Sequence, residues 1–442
     1  MTANAGYHAY ATGDVLTAAQ VQYNLQNQTT MYFASASART TALTGVLVEG
    51  MVSYIPTNGI EYYNGSAWVS ISQAVTALTT KGDLLTYSTQ DTRLPVGSDG
   101  QTLVANSAAT TGLQWQAPVQ QNPFLNSAFQ VWQRGTTSAS ITSTATYTAD
   151  RWNCLAGATT ATTVSRQVTG DTTNLPNIQY CARVQRTAAQ TGTSTIQLAQ
   201  SFESINSIPF AGKAITLSFY ARAGANFSAA SSALNIALNT GTGTDQQLFS
   251  GFTGAAYPIY TSATLTTTWQ RFTYTATLAT NITQIGLNIY YVPVGTAGAN
   301  DYFEVTGVQL EVGSVATPFH TFSTTLQGEL AACQRYYYRQ TGQTYLAFTI
   351  GSAYSTSGAN AYVALPVSMR TIPSAVEYSG IALNDTVSVS SNATSVTLSA
   401  TESSTNMGKV NVGCAAVLTQ YRTYCLGNAG VSTGYLGFTA EL

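Results

Sequence analysis

Between residues 122 and 322 apolar and polar side chains alternate with a period of two over several short runs. Ile215, Leu217, Phe219 and Ala221 interleave with Thr216, Ser218, Tyr220 and Arg222. Leu234, Ile236 and Leu238 alternate with Asn235, Ala237 and Asn239, and Phe272, Tyr274, Ala276 and Leu278 with Arg271, Thr273, Thr275 and Thr277. Ile285, Leu287, Ile289 and Tyr291 do the same against Gln284, Gly286, Asn288 and Tyr290. Such alternation places one side of each strand in a core, and several such strands separated by polar turns predict a β-sandwich. In the last run Phe303 and Val305 share a phase that Val308, Leu310 and Val312 do not. Gly307 stands at the slip and predicts a β-bulge.

The flanking segments follow other patterns. A helix is predicted over residues 14–25, with Asp14 or Thr17 as cap and Leu16, Ala19 or Gln20, Tyr23 and Met31 near helical spacing. Residues 50–71 read as a three-stranded meander with Asn-Gly turn signals at Asn58-Gly59 and Asn64-Gly65. Residues 77–117 hold short β pieces between glycine turns, each too short to bury a core alone. They read as a shaft or neck that gains stability by wrapping around identical copies. After the sandwich, Leu326, Leu330, Cys333 and Tyr337 form a helical stripe. That helix opens a final β region with strands near 361–367, 375–378, 395–399 and 411–418. The expected order is a mainly β, elongated modular fibre. It has a helical anchoring segment (1–44), a small β-meander (45–73), a shaft (74–121), a jelly-roll β-sandwich (122–322) and a C-terminal β tip domain (323–442).

Composition narrows what this architecture can do. Lys and Arg number 16 and Asp and Glu 18, so 8% of the 442 residues are charged, against roughly a quarter in ordinary chains. With 44% hydrophobic residues and 27 tyrosines the chain has ample material for packed cores. A net charge of −2, with no basic run, argues against nucleic-acid binding, which needs a cationic footprint. No apolar stretch approaches the ~20 residues of a membrane span. The first ten residues lack the layout of a signal peptide, so synthesis in a host cytoplasm is expected. Cys154, Cys181, Cys333, Cys414 and Cys425 form no CxxC pair and read as small hydrophobes, with a Cys414–Cys425 bridge as the alternative.

Catalytic chemistry is sparsely provided. His8 and His320 are the two histidines, and no Gly-x-Ser-x-Gly elbow surrounds a serine near either, which argues against a serine triad. The same scarcity argues against His- or Cys-based metal sites. An oxygen-ligated calcium stays open, although no EF-hand spacing is present. Glu304 and Glu311 both face outward once the Gly307 bulge is allowed for. Their separation of ~23 Å along a strand is too great for a glycosidase pair. Trp132, Trp152 and Trp269 read as core rather than as sugar platforms. Tyr220 and Tyr290, on the polar parity of their strands, and the C-terminal Tyr421, Tyr424 and Tyr435 are the surface candidates for sugars or subunit contacts.

Several stretches resemble bacteriophage tail-fibre and minor tail proteins. Ala11-Thr-Gly-Asp-Val-Leu-Thr-Ala-Ala-Gln-Val21 with Met31-Tyr-Phe-Ala-Ser-Ala-Ser-Ala-Arg39 is similar to a virion-anchoring segment, and Glu49 through Trp68 to a small β module that often follows it. Thr79-Thr-Lys-Gly-Asp-Leu-Leu85, Leu94-Pro-Val-Gly97 and Gly112-Leu-Gln-Trp115 resemble a repeat found in phage fibres. Asn126-Ser-Ala-Phe-Gln-Val-Trp-Gln-Arg-Gly135, Ala149-Asp-Arg-Trp152 and Gly212 through Arg222 resemble their carbohydrate-binding-module-like jelly roll. Cys333-Gln-Arg-Tyr-Tyr337 and Leu365-Pro-Val-Ser-Met-Arg370 match features of their C-terminal parts. Tyr220 stands where many relatives place Trp, so no ligand platform is carried over. The resemblance implies a homotrimer, or another symmetric assembly, on a virion. The N-terminus (His8, Tyr10, Leu16, Val21 and Leu25) would dock on tail or collar proteins, and the β domains would meet a host-surface glycan or protein. No cofactor, nucleic acid or membrane insertion is expected. The alternatives are a purely structural tail, collar or head-fibre component and a polysaccharide depolymerase.

Overall fold

The computed structural model describes residues 12–13, 15, 17–21, 30–71, 78–89, 91–97, 101–116, 122–175, 177–344, 346–385, 390–415 and 417–442. The chain divides into two compact units, residues 1–118 and 119–442.

In the first unit the helix expected over 14–25 is described only as α1 (Ala18–Val21); residues 22–29 lie outside the described set. The meander forms as read, from β2 (Val52–Ile55), β3 (Gly59–Tyr63) and β4 (Trp68–Ser70). A short β1 (Met31–Tyr32) adds parallel to β2. Between β1 and β2 runs α2 (Ala36–Ala42), which the sequence reading missed because its polar residues carry no apolar stripe. Its cap is Ser35, whose side chain accepts from the Ala38 N–H. The inner side of this module buries Leu43, Met51 and Ile55 together with Arg39, Ser53 and Glu61. Arg39 donates to Glu61 at 2.5 Å and to Ser53 at 2.8 Å, and its guanidinium lies 4.1 Å from the Trp68 ring. The other side leaves Tyr32, Tyr54, Ile60 and Tyr62 exposed. The described residues between 78 and 116 include two hairpins, β5 (Leu84–Tyr87) with β6 (Asp91–Leu94) and β7 (Thr102–Ala105) with β8 (Leu113–Gln116). Asp83 knots the first: Arg93 beside it and the N–H groups of Thr79, Thr80 and Val96 hold its carboxyl far below the usual range.

The second unit is built on the sandwich. One sheet has six antiparallel strands in the order β16 (Ala256–Thr264), β15 (Ala233–Gly241), β18 (Gln284–Tyr291), β13 (Ile196–Ser201), β10 (Asn153–Ala156), β9 (Thr146–Tyr147). The other has five, in the order β11 (Thr162–Val168), β12 (Tyr180–Arg186), β19 (Tyr302–Val312), β14 (Ala214–Ala223), β17 (Gln270–Thr277). The alternating apolar positions all point between the sheets: Ile215, Leu217 and Phe219 meet Leu234, Ile236, Leu238, Ile285, Leu287 and Ile289 in one core with Trp132 and Trp152. Gly307 has φ +60°, and opposite it the β14–β19 register slips between Ser218 and Tyr220, so the predicted bulge is present. All five cysteines are free and four of them are buried; the alternative Cys414–Cys425 bridge does not form.

Beyond the sandwich the predicted helix forms as α4 (Leu326–Gln334), capped by Thr325 accepting from the Gly328 N–H, but it ends before Tyr337, which opens a strand instead. The strands β20 (Tyr337–Thr341), β28 (Tyr435–Thr439) and β23 (Ala375–Ser379) form a small sheet in that order. Beside it β21 (Ala347–Ala353), β22 (Gly358–Ala364), β26 (Met407–Cys414), β25 (Ser390–Leu398), β24 (Ile381–Asn384) and β27 (Thr423–Asn428) close into a barrel. The C-terminal region is joined to the sandwich by polar contacts made outside the barrel strands. Glu441 takes Arg151 and Arg134, and Glu203, at the start of α3 (Ser204–Ser207), takes Arg335 at 2.9 Å and Tyr336 at 2.5 Å. Burial raises the Glu203 carboxyl, but the hydrogen bonds from Arg335 and Tyr336 outweigh it and hold the group below its ordinary value.

Candidate functional site

The two sheets present different chemistry to the outside. The five-stranded sheet carries Arg166, Arg183, Arg186, Arg222, Arg271, Glu304 and Glu311. The six strands of the other sheet contain no charged residue at all.

Most of the charges on the five-stranded sheet are engaged internally. Cross-strand register places Glu304 between Arg183 and Arg222. Its Oε1 accepts from Arg183 at 2.6 Å and its Oε2 from Arg222 at 2.5 Å, while the two guanidinium groups lie over the Tyr302 and Trp269 rings. Glu311 accepts from the Thr317 N–H and hydroxyl. Both glutamates point out of the core as expected, yet both are buried beneath neighbouring residues. A carboxylate fixed between two arginines is a clamp, not a proton shuttle. Arg186 is wholly enclosed at one end of the sandwich. It donates to the carbonyls of Gln190, Gly192 and Gly295, each at 2.7 Å, and pairs with Asp301 at 3.2 Å. Carbonyls around a carboxylate are the ligand types calcium takes; here they surround an organic cation. Among the described residues no three His, Cys, Asp or Glu are grouped to hold a metal ion.

The outer face of the six-stranded sheet is ordered in rows by its register. One row crosses Asn153, Ala199, Asn288, Ala237 and Tyr260; the next crosses Leu155, Gln197, Tyr290, Asn235 and Ser262. Ala199 and Ala237 make a low floor, and taller amides and tyrosines rise around it. The β15–β16 loop folds over one end, where Leu248 and Phe252 pack on Ala199. There a Cβ at Gly286 would stand 3.0 Å from the Phe252 ring, so a larger residue would push against the loop. Asn288 donates to Gln197 at 2.8 Å, and the Tyr290 hydroxyl donates to Tyr260 at 3.1 Å. Burial, with Tyr260 as a second cause, pushes the Tyr290 hydroxyl up to about 12, so it stays a neutral donor. The Oδ1 atoms of Asn239 and Asn288 have no hydrogen-bond partner among the described residues. Tyr257 and Tyr260 are 55% and 69% exposed, with ring centroids 6.0 Å apart in an edge-on arrangement. Uncharged amides beside open aromatic rings suit ligands with many hydroxyls and a flat apolar face.

Of the surface tyrosines read from sequence, Tyr290 belongs to this face. Tyr220 lies on the opposite sheet, half-buried against Trp269, Ile178 and Phe319, with Arg271 over its ring. Tyr421 is 84% exposed in the turn before β27, and Tyr435 is half-buried under the Arg339 guanidinium. Tyr424 is corrected: it lies in the barrel core at 1% exposure, its hydroxyl accepting from the Thr419 N–H. Its shared parity with Leu426 was the sequence signal for this. His8, Tyr10, Leu16 and Leu25 lie outside the described residues, as does the side chain of Val21. Sequence reasoning missed Tyr257, Tyr260 and the amide rows; the absence of charge in the strands that pair to form this sheet was the available clue.

Fold and surface together define a mainly β protein whose β-sandwich shows one uncharged face rich in amides and tyrosines. Comparison with protein-family models gave no match, and comparison with curated proteins gave none. Among solved structures, the chain is similar to a family 4 carbohydrate-binding module, at 20% identity over 30% of this chain and 71% of that one, with a TM-score of 0.22. It is also similar to the enzymatically active domain of tailspike protein 4 of bacteriophage CBA120, at 11% identity over 44% and 22%, TM-score 0.28. A family 61 carbohydrate-binding module in complex with β-1,4-galactotriose matches at 12% identity over 44% and 100%, TM-score 0.26.

Proposed function

We propose that this chain is a non-catalytic, glycan-recognising fibre protein of a bacteriophage virion, and that the outer face of its six-stranded sheet is the recognition surface. The observation that carries the reading is the complete lack of charge across six adjacent strands that instead present Asn235, Asn288, Gln197, Tyr260 and Tyr290. Sugar hydroxyls pair with amides and phenols without any salt-dependent term, and weak sites gain avidity when many copies sit on one particle. Assembly from identical subunits, a homotrimer by resemblance, is supported by the apolar outer side of the N-terminal meander, where Tyr32, Tyr54, Ile60 and Tyr62 stand exposed. Attachment through the N-terminal segment follows from the same resemblance.

The test is binding of the purified chain to arrayed host-envelope glycans at low and at high salt. For neutral glycans we expect binding that is insensitive to salt and that falls about tenfold in Tyr290→Ala, equivalent to ~1.4 kcal/mol. Absence of any bound host glycan, together with normal adsorption of virions lacking residues 122–442, would leave the purely structural reading in its place.

A further inference from the structure

A cavity of about 510 Å³ opens at the β11–β12 edge of the five-stranded sheet, away from the uncharged face. Arg166 and Tyr180 share the parity of the core residues Val164 and Ala182 in the same strands, but both are only half-buried and open to this space. The Arg166 guanidinium lies over the Tyr180 ring at 4.5 Å, and among the described residues it donates to the Gln130 carbonyl at 3.4 Å. Around it stand Gln179, Phe319, His320 and Thr324, and among the described residues no Asp or Glu lines the cavity. The Glu329 carboxylate behind Ser323 is engaged by the N–H groups of Ser323 and Asn126, and burial raises its pKa.

That arrangement is exceptional in this molecule. Arg134, Arg151, Arg183, Arg186, Arg222 and Arg335 each have a carboxylate partner. No ion pair to Arg166 is found among the described residues. Arg271 and Arg339 also lack one there, but they donate to the Thr317 and Arg134 carbonyls at 2.5 and 3.2 Å, closer than the Arg166 contact. A guanidinium fork held flat by an aromatic ring is preorganised for a planar carboxylate. The cavity volume falls in the range that encloses a small ligand.

We propose that this cavity binds the carboxylate of an acidic sugar residue, a hexuronic acid within a glycan chain. Arg166 takes the carboxylate, Tyr180 and Phe319 face the ring, and Gln179 and Thr324 meet the hydroxyls. The proposal rests on the reading of the chain as glycan-binding but uses a separate site, so its failure can be told apart from the failure of that reading.

The experiment titrates the full chain with hexuronate oligosaccharides and with neutral hexose oligosaccharides of equal length, by calorimetry and ligand-observed NMR. Wild type should bind the acidic series at least tenfold more tightly than the matched neutral series at this site, with affinity falling as salt rises. Arg166→Gln should remove that preference and leave neutral binding unchanged, whereas Tyr290→Ala should weaken neutral binding only. Gln179→Ala, at an exposed position, serves as a second variant and should weaken acidic binding severalfold without altering thermal stability. Equal affinity for both series in wild type, or an Arg166→Gln variant that keeps the acidic preference while folded, would overturn the assignment.

Discussion

Arg186 shows how this chain handles the few charges it has. Removing its guanidinium leaves Asp301 buried without a counter-charge and three loop carbonyls without a donor. Arg186→Met is expected to cost ~3–5 kcal/mol, the range for breaking a buried pair from one side, read as a lowered thermal midpoint. Asp150 supplies a pH signature. Burial, only partly offset by hydrogen bonds from Gln133, pushes its carboxyl from 3.8 up to about 6. The folded form therefore holds that proton more tightly than the unfolded chain. This contribution is full below pH ~4, declines as pH rises to about 6, and changes no further above, ~3 kcal/mol in all. In Asp150→Asn the midpoint should gain on wild type across that window and run parallel to it at higher pH; a constant difference from pH 4 to 8 would refute this origin. None of these partnerships was legible in the sequence, because Arg186 and Asp301 are 115 positions apart and Arg183 and Glu304 are 121 apart. Cysteine burial was legible, since an unclustered thiol behaves as a small hydrophobe.

At the scale of elements, period-two alternation located five long strands of the sandwich, β14, β15, β17, β18 and β19, because one side of each packs in a single core, but it did not mark β11, β12 or β16. The glycine at the phase slip located the bulge as well. A Cβ at Gly307 would stand 2.8 Å from Ile178 and 2.9 Å from Tyr220, at a φ that β-branched residues avoid. Gly307→Val should therefore lower stability by ~2–3 kcal/mol, with Gly307→Ala intermediate, measured by denaturant midpoints. Elements without an apolar rhythm were not legible. The helix Ala36–Ala42 is held by the Ser35 cap and by Arg39 reaching across to Glu61, and only the fold brings that acid within range. The amide face was hidden for a related reason: its rows are assembled by pairing strands from residue 153 to residue 290.

At the scale of the whole molecule, the sandwich and the segments next to the small C-terminal sheet share Arg151–Glu441 and Glu203–Arg335 contacts, so residues 119–442 are expected to unfold as one cooperative transition. Reducing agent should leave that transition unmoved, because no cysteine is bridged. A separate low-temperature transition for residues 323–442 in calorimetry would refute the cooperative picture. The strand order has a consequence for synthesis. In each sheet of this unit a late strand fills an interior place: β18 between β13 and β15, β19 between β12 and β14, β28 between β20 and β23, β27 between β21 and β24. A nascent chain on the ribosome therefore carries paired, unfilled gaps until those segments emerge, each gap bordered by strand edges able to capture a neighbouring chain. Prematurely terminated products of this gene should be sticky out of proportion to the residues they lack.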